Sequence, residues 1–249
     1  MRSPYVVGLS ATAGATAVYI LAARSRQLRW GATDEESEGP LPGDDLIEKA
    51  DITATRAITI RVSAAQVWPW IVQLGQGRGG FYSYDFLENL VGCDIHSADR
   101  VVPEWQDVRV GDEVRFAPEV GLAVACLEHG RSLVLRGGVP IGNREPPYNS
   151  TWAFVLRDGP DKTTRLLVRE RYAYKRPWAR LIIEPTEVLS FVMSHKMLRG
   201  IKERAERTAG ADGHLVTAER SLPSLLQADR APRTVQRRRG ARSPARSLA

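Results

Sequence analysis

PTEVLSFVMSHKMLRGIKERAERTA, residues Pro185–Ala209, is the longest amphipathic run of the chain. Leu189, Val192, Met193, Met197, Ile201 and Ala205 recur at helical spacing, and Val188, Phe191 and Leu198 widen the stripe. Lys196, Lys202, Glu203, Arg204 and Glu206 fill the other side. The pattern predicts one helix with an apolar face. Its 25 residues would reach about 37 Å, enough to cross a whole sheet.

The sheet is legible upstream. Glu113–Ala117, Leu122–Glu128, Leu133–Gly137, Thr151–Arg157 and Arg165–Tyr174 read as strands separated by Gly, Pro and Asp turns. Thr55–Val62 alternates Ile58, Ile60 and Val62 against Thr59 and Arg61, a further half-buried strand. Ser63-Ala64-Ala65-Gln66 then has the form of a capping box. Val67, Trp70, Ile71 and Leu74 follow on one helical face, with Pro69 expected to bend the helix and Gly75 to end it. Ser83 could cap a second short helix with Leu87, Leu90 and Val91 inward. The fold class is therefore α+β: a curved antiparallel sheet wrapped around a long C-terminal helix, with two short helices after the first strand.

Outside that domain, 52–209, the composition changes. Residues Ser3–Ala23 carry no charge and are followed by Arg24, Arg26 and Arg29. About 20 such residues just span a bilayer core. Residues 1–29 are therefore expected to be a single-pass anchor, with a cleaved signal segment as the competing reading. By the positive-inside tendency the domain would lie on the cytoplasmic side of the cell membrane, with Trp30 near the interface. Residues 30–51 carry Asp34, Glu35, Glu36, Glu38, Asp44 and Asp45 among Gly and Pro, and read as an acidic linker. Residues 210–249 read as a disordered arginine-rich tail. Eight arginines against three carboxylates from Ala211 onward give that stretch +5, so the other 210 residues hold +1 of the net +6. Nucleic acid is thus not expected as a partner of the domain, and only Arg237-Arg238-Arg239 of the tail could bind anionic lipid or nucleic acid. Two cysteines, Cys93 and Cys126, exclude a disulfide scaffold.

The word order also carries a resemblance. Val67-Trp68-Pro69-Trp70-Ile71-Val72-Gln73-Leu74-Gly75, Gly79-Gly80-Phe81-Tyr82-Ser83-Tyr84-Asp85 and Gly92-Cys93-Asp94-Ile95-His96 look like a bacterial subfamily of the SRPBCC (START-related, polyketide cyclase/dehydrase-like) superfamily. Pro103-Glu104-Trp105-Gln106, Val110-Gly111-Asp112, Phe191-Val192-Met193 and Lys196-Met197-Leu198 continue the match. The resemblance implies a helix-grip fold, an N-terminal membrane segment, and a cavity for a hydrophobic small molecule or lipid between sheet and long helix. It implies catalysis only in some relatives.

The chemistry is concentrated in Gly75–Trp105. Gly75-Gln76-Gly77-Arg78-Gly79-Gly80 fits G-x-G-x-x-G but follows a helix, where a dinucleotide site needs it after a strand. It reads as a loop that could gate a cavity, and no cofactor is expected. Cys93 and His96 have no second ligand pair at zinc-site spacing, so no metal is expected either. Trp70, Tyr82, Tyr84, Asp85, His96, Trp105, Trp152, Phe154 and Glu170 are the expected ligand-binding residues. Glu170 shares a strand face with Leu166, Val168 and Tyr172, so it must be paired or ligand-facing if buried. His96 with Asp85, Asp94 or Glu104 forms the candidate catalytic set. Three readings stay open. A membrane-tethered binding protein for an apolar ligand comes first, and a cyclase-, aromatase- or hydrolase-type enzyme second. An interaction or chaperone-like adaptor, with a filled core and an exposed apolar patch, is third.

Overall fold

The computed structural model describes residues 23–140 and 145–228. Six strands form one antiparallel sheet: β1 Ile52–Ile60, β2 Glu113–Ala117, β3 Val120–Glu128, β4 Ser132–Gly137, β5 Tyr148–Asp158 and β6 Thr164–Tyr174. Their order is β1-β6-β5-β4-β3-β2, so β2 to β6 form a meander and β1 closes it beside β6. The helices are α1 Asp34–Glu38, α2 Ala64–Val72, α3 Asp85–Leu90 and α4 Arg180–Ala228. The curved sheet is packed against α4, as the sequence leads one to expect. The chain divides into two units, Met1–Ala209 and Gly210–Ala249. Within the second, helical backbone extends to Ala228 where composition pointed to disorder. Residues 229–249, with the Arg237–Arg239 cluster, lie outside the described residues.

One sheet face carries the core. Ile58 stands opposite Leu166, which stands opposite Leu156, and Phe154 lies between Leu133 and Val168. These residues join Trp70 and Ile71 of α2, Leu74 just beyond it, and Met197, Leu198, Ile201 and Ala205 of α4 in one cluster. Each fully buried large aliphatic or aromatic side chain stabilises by roughly 1.5–3 kcal/mol. The N-terminal half of α4 departs from the apolar stripe. It buries Ile183, Glu187 and Ser194, while Leu181, Val188 and Leu189 are exposed. The cause is the partner surface: Arg24 and the Arg56–Glu170 pair lie there and require polar groups. Leu90 at the end of α3 and Val91 just after it are likewise exposed rather than inward, while Phe81, Tyr82 and Ile95 on either side of this six-residue helix are buried.

Of residues 30–51, expected as a linker, the stretch 31–44 lies against the sheet's other face. Arg165, Arg169 and Arg171 alternate with the core-facing residues of β6 and so project outward together. Arg165 pairs with Glu36 at 2.7 Å, and Arg169 and Arg171 share Asp44. Arg169 also donates to Thr55 Oγ1 and to the carbonyls of Glu36, Ser37 and Gly39. Leu41 buries itself with Ala57, Val155 and Leu167. Composition suggested solvation, but Glu36 and Asp44 find arginines more than a hundred residues away. The Glu36 carboxyl is held down to about 2, first by its Arg165 hydrogen bond against the opposing effect of burial.

The expected membrane location is corrected. Among the described residues no helix is long and apolar enough to cross a membrane. Residues 3–22 of the expected span lie outside the described residues. The flank that follows is engaged by α4. Arg24 makes a bidentate bond to Glu187 at 2.7 and 2.8 Å. Trp30, expected at a bilayer interface, stacks edge-on against His195 at 4.4 Å.

Candidate functional site

Gly75–Trp105 folds as a tied-down cap. Gln73, fully buried at the end of α2, donates to the Tyr82 hydroxyl at 2.9 Å and to the Arg100 carbonyl, and accepts from Val102 N–H and Gln106 Nε2. The Tyr82 hydroxyl donates to the Trp70 carbonyl, and burial pushes its pKa up. Arg78 donates to the carbonyls of Val72 and Trp105. Two glycines permit the close chain approaches. A Cβ on Gly80, at φ +68°, would lie 2.9 Å from the His96 carbonyl, and one on Gly200 of α4 would lie 2.3 Å from the Tyr82 carbonyl. The glycine-rich loop thus serves packing, and a gate would have to break these bonds.

The expected site residues separate. Trp70, Tyr82 and Phe154 are core residues at 0–1% exposure. Trp152 packs among Phe81, Phe116 and Phe154 at 4.8–5.8 Å. Tyr84 stacks edge-on with exposed Phe86. Trp105 is half-buried. Asp85 accepts from Ser97 N–H and Oγ, and the Ser83 hydroxyl donates to the Met193 carbonyl instead of capping α3. The His96 side chain is 82% exposed, with Nε2 3.3 Å from Asp94 Oδ1. Glu104 is exposed on the turn Pro103–Trp105. The candidate catalytic set therefore does not converge on one point. Among the described residues no group of three or more His, Cys, Asp or Glu assembles around a metal position.

Glu170 is paired. It accepts from Arg56 at 2.7 Å, Ser190 at 2.6 Å, Ser194 at 2.8 Å and Tyr172 at 3.1 Å. Burial opposes the carboxylate, but Arg56 and the three hydroxyls outweigh it and hold its pKa below the usual range. Arg56 is 1% exposed and also reaches the Gln27 carbonyl. This network occupies the space between sheet and α4 where a ligand was expected. The void beside it, lined by Leu28, Ile52, Tyr172 and Ile183, measures about 10 Å³, room for one water at most.

A cleft of about 610 Å³ opens elsewhere, where the first turn of α2, the β3–β4 turn and the end of β5 meet. Ala64, Ala65, Trp68 and Pro69 form one wall, His129, Gly130 and Arg131 another, and Leu156, Arg157 and Asp158 the floor, with Gln106 at the side. Ser63 and Gln66 close the expected capping box at the start of α2. Trp68 is 4% exposed and stacks edge-on with His129 at 5.6 Å. Its Nε1–H is buried without an acceptor. An orphaned buried donor costs about 1–3 kcal/mol unless something accepts from it. Pro69 has no N–H, so the Ala65 carbonyl lacks its helical donor as well. The volume is that of a small-molecule site, typically about 300–1,000 Å³. Sequence reading passed over these residues. The signal available was Trp68 itself, a tryptophan off the apolar stripe of α2 and beside a mid-helix proline.

No family model matches the chain, and no curated protein matches it. Several solved structures are similar in part. Mesorhizobium loti protein MLL2253 is 13% identical over 63% of this chain and 98% of its own, with a TM-score of 0.39. Nitrosomonas europaea protein NE0264 is 11% identical over 68% and 99%, with a TM-score of 0.41. CalU16 of Micromonospora echinospora is 15% identical over 64% and 86%, with a TM-score of 0.32. At such TM-scores these likenesses assign the chain no activity, and the architecture described above is its identification: a helix-grip arrangement of sheet and C-terminal helix.

Proposed function

We propose that this protein is a small-molecule binding module whose ligand occupies the cleft between Trp68, His129 and Arg157. The observation that carries the reading is the cleft itself, about 610 Å³ walled by Trp68, Pro69 and His129 and floored by Leu156. Apolar surface from Trp68, Pro69 and Leu156 supports a ring or hydrocarbon body, and a few polar groups around it fix orientation. The reading keeps the small-molecule binding implied by the resemblance and moves the site from the filled interior to the end of the sheet.

The test is an NMR titration of the nitrogen-labelled protein with anilinonaphthalene sulfonate, following the indole N–H of Trp68, assigned with a Trp68→Phe variant. A saturable shift of that resonance with those of His129 and Arg157 is expected. Saturating probe that leaves all three unmoved overturns the reading. In that event the adaptor reading replaces it, favoured by the filled interior and by exposed Phe86, Leu90, Val188 and Leu189 on α3 and α4.

A further inference from the structure

The outer face of α4 is apolar at one end and charged further along. Leu181, Pro185, Val188 and Val192 are exposed and lie within an arc of about 60° around the helix axis, with exposed Leu189 on their flank. Buried Ile183, Glu187 and Ser194 occupy the opposite side. Downstream the same outer line continues as exposed Arg199 and Glu203. Single exposed aliphatics are ordinary on a protein surface, whereas a continuous row of them marks a contact. We propose that the occupant is the chain's own uncharged segment, residues 3–22, docked along the row from Leu181 to Val192. The proposal is independent of the cleft.

Three observations select that occupant. The first is direction. Residues 24–30 run alongside α4 in its own sense, since Arg24 is bonded to Glu187 and Trp30 stacks on His195. The chain upstream of Arg24 therefore leaves toward the start of α4, where Leu181 lies one and a half turns before Glu187, about 9 Å along the axis. The second is length. The row from Leu181 to Val192 is about 16 Å long, and the 20 residues of the segment would reach about 30 Å even if wholly helical. That leaves residues to spare for a reversal, which Gly8 and Gly14 make cheap.

The third is chemistry. Val6, Val7, Leu9, Val18, Ile20 and Leu21 of the segment are apolar, and no charge interrupts residues 3–22. Docking removes both apolar surfaces from water at once. The tether also decides between occupants. A segment joined to the surface it covers has an effective concentration on the order of mM, which a second copy of the chain in dilute solution does not match.

Hydroxyl-radical footprinting of the full chain, read residue by residue by mass spectrometry, tests the docking. In the Val18→Asp/Leu21→Asp variant, oxidation of Leu181 and Leu189 should rise several-fold over wild type, while that of exposed Val110, far along the chain, stays unchanged. In the reciprocal Leu181→Asp/Val188→Asp variant, where both replaced side chains are exposed, oxidation of Leu21 should rise likewise. Sedimentation velocity should show a monomer in every case. Oxidation of Leu181 and Leu189 that is the same in wild type and in the segment variant overturns the proposal. Protection that disappears on dilution, together with a dimer, overturns it in favour of a second copy. Protection that appears only on adding phosphatidylcholine vesicles overturns it as well.

Discussion

Replacing Glu170 by Gln should cost stability out of proportion to the atoms changed. The variant keeps the shape of the side chain and one acceptor oxygen but removes its charge. Arg56, 1% exposed, would then be a buried cation facing an amide and the Gln27 carbonyl. Breaking a buried pair by neutralising one partner costs about 3–5 kcal/mol. For a domain of this size that lowers Tm by roughly 6–20 °C, at about 2–4 °C per kcal/mol. Arg56→Met should fall at the lower end of the same range, because Ser190, Ser194 and Tyr172 still donate to the remaining carboxylate. The double variant Arg56→Met/Glu170→Leu removes both charges. Its cost should be smaller than the sum of the Glu170→Gln and Arg56→Met costs by at least about 2 kcal/mol, since the Ser190 and Ser194 hydroxyls can turn to carbonyls of their own helix. Urea unfolding followed by circular dichroism measures all three. A Glu170→Gln cost below about 1 kcal/mol, or costs that simply add, would refute the claim that a charge network fills the space between sheet and α4.

Other expectations follow from the same geometry. Glu36 has its folded pKa lowered to about 2, so its contribution is present above the unfolded carboxyl value of about 4.5 and is lost as pH falls through about 2. Glu36→Gln should remove about 1 kcal/mol at pH 7, discounted for solvent exposure, and nothing below pH 2; an equal effect at both pH values would sink this assignment. Glu88 runs the other way. Burial first, and Asp85 second, push its carboxyl up to about 7. The folded protein therefore holds that proton more tightly than the unfolded chain does, and stability should decline from pH 5 to pH 8. Glu88→Gln should flatten that slope in thermal melts, and an unchanged slope contradicts the placement. Gly200→Ala brings a Cβ within 2.3 Å of the Tyr82 carbonyl, and should destabilise by about 1–3 kcal/mol with slower-protected amides in 80–84 exchanging faster; wild-type exchange there would show the cap independent of α4.

The architecture was readable because its signals are local. Alternation in β1, the box at Ser63–Gln66 and the amphipathic run in α4 each depend on neighbours within a few residues. What escaped reading depends on distant partners. Asp44 looks solvated until Arg169 and Arg171 are placed beside it, and Ser190 and Ser194 look like the polar side of α4 until Glu170 turns them inward. The same applies to function. Phe81, Tyr82 and Tyr84 drew attention by being clustered in sequence, whereas Trp68, His129, Arg131 and Arg157 are brought together only by folding. His96 and Asp94 were close in sequence and remain close in space, but on the surface.

A crystal structure of the protein grown with anilinonaphthalene sulfonate tests the central claim most directly. The account predicts density for the rings between Trp68, Pro69 and Leu156. Density between the sheet and α4, with the Arg56–Glu170 pair displaced to admit it, would contradict the account.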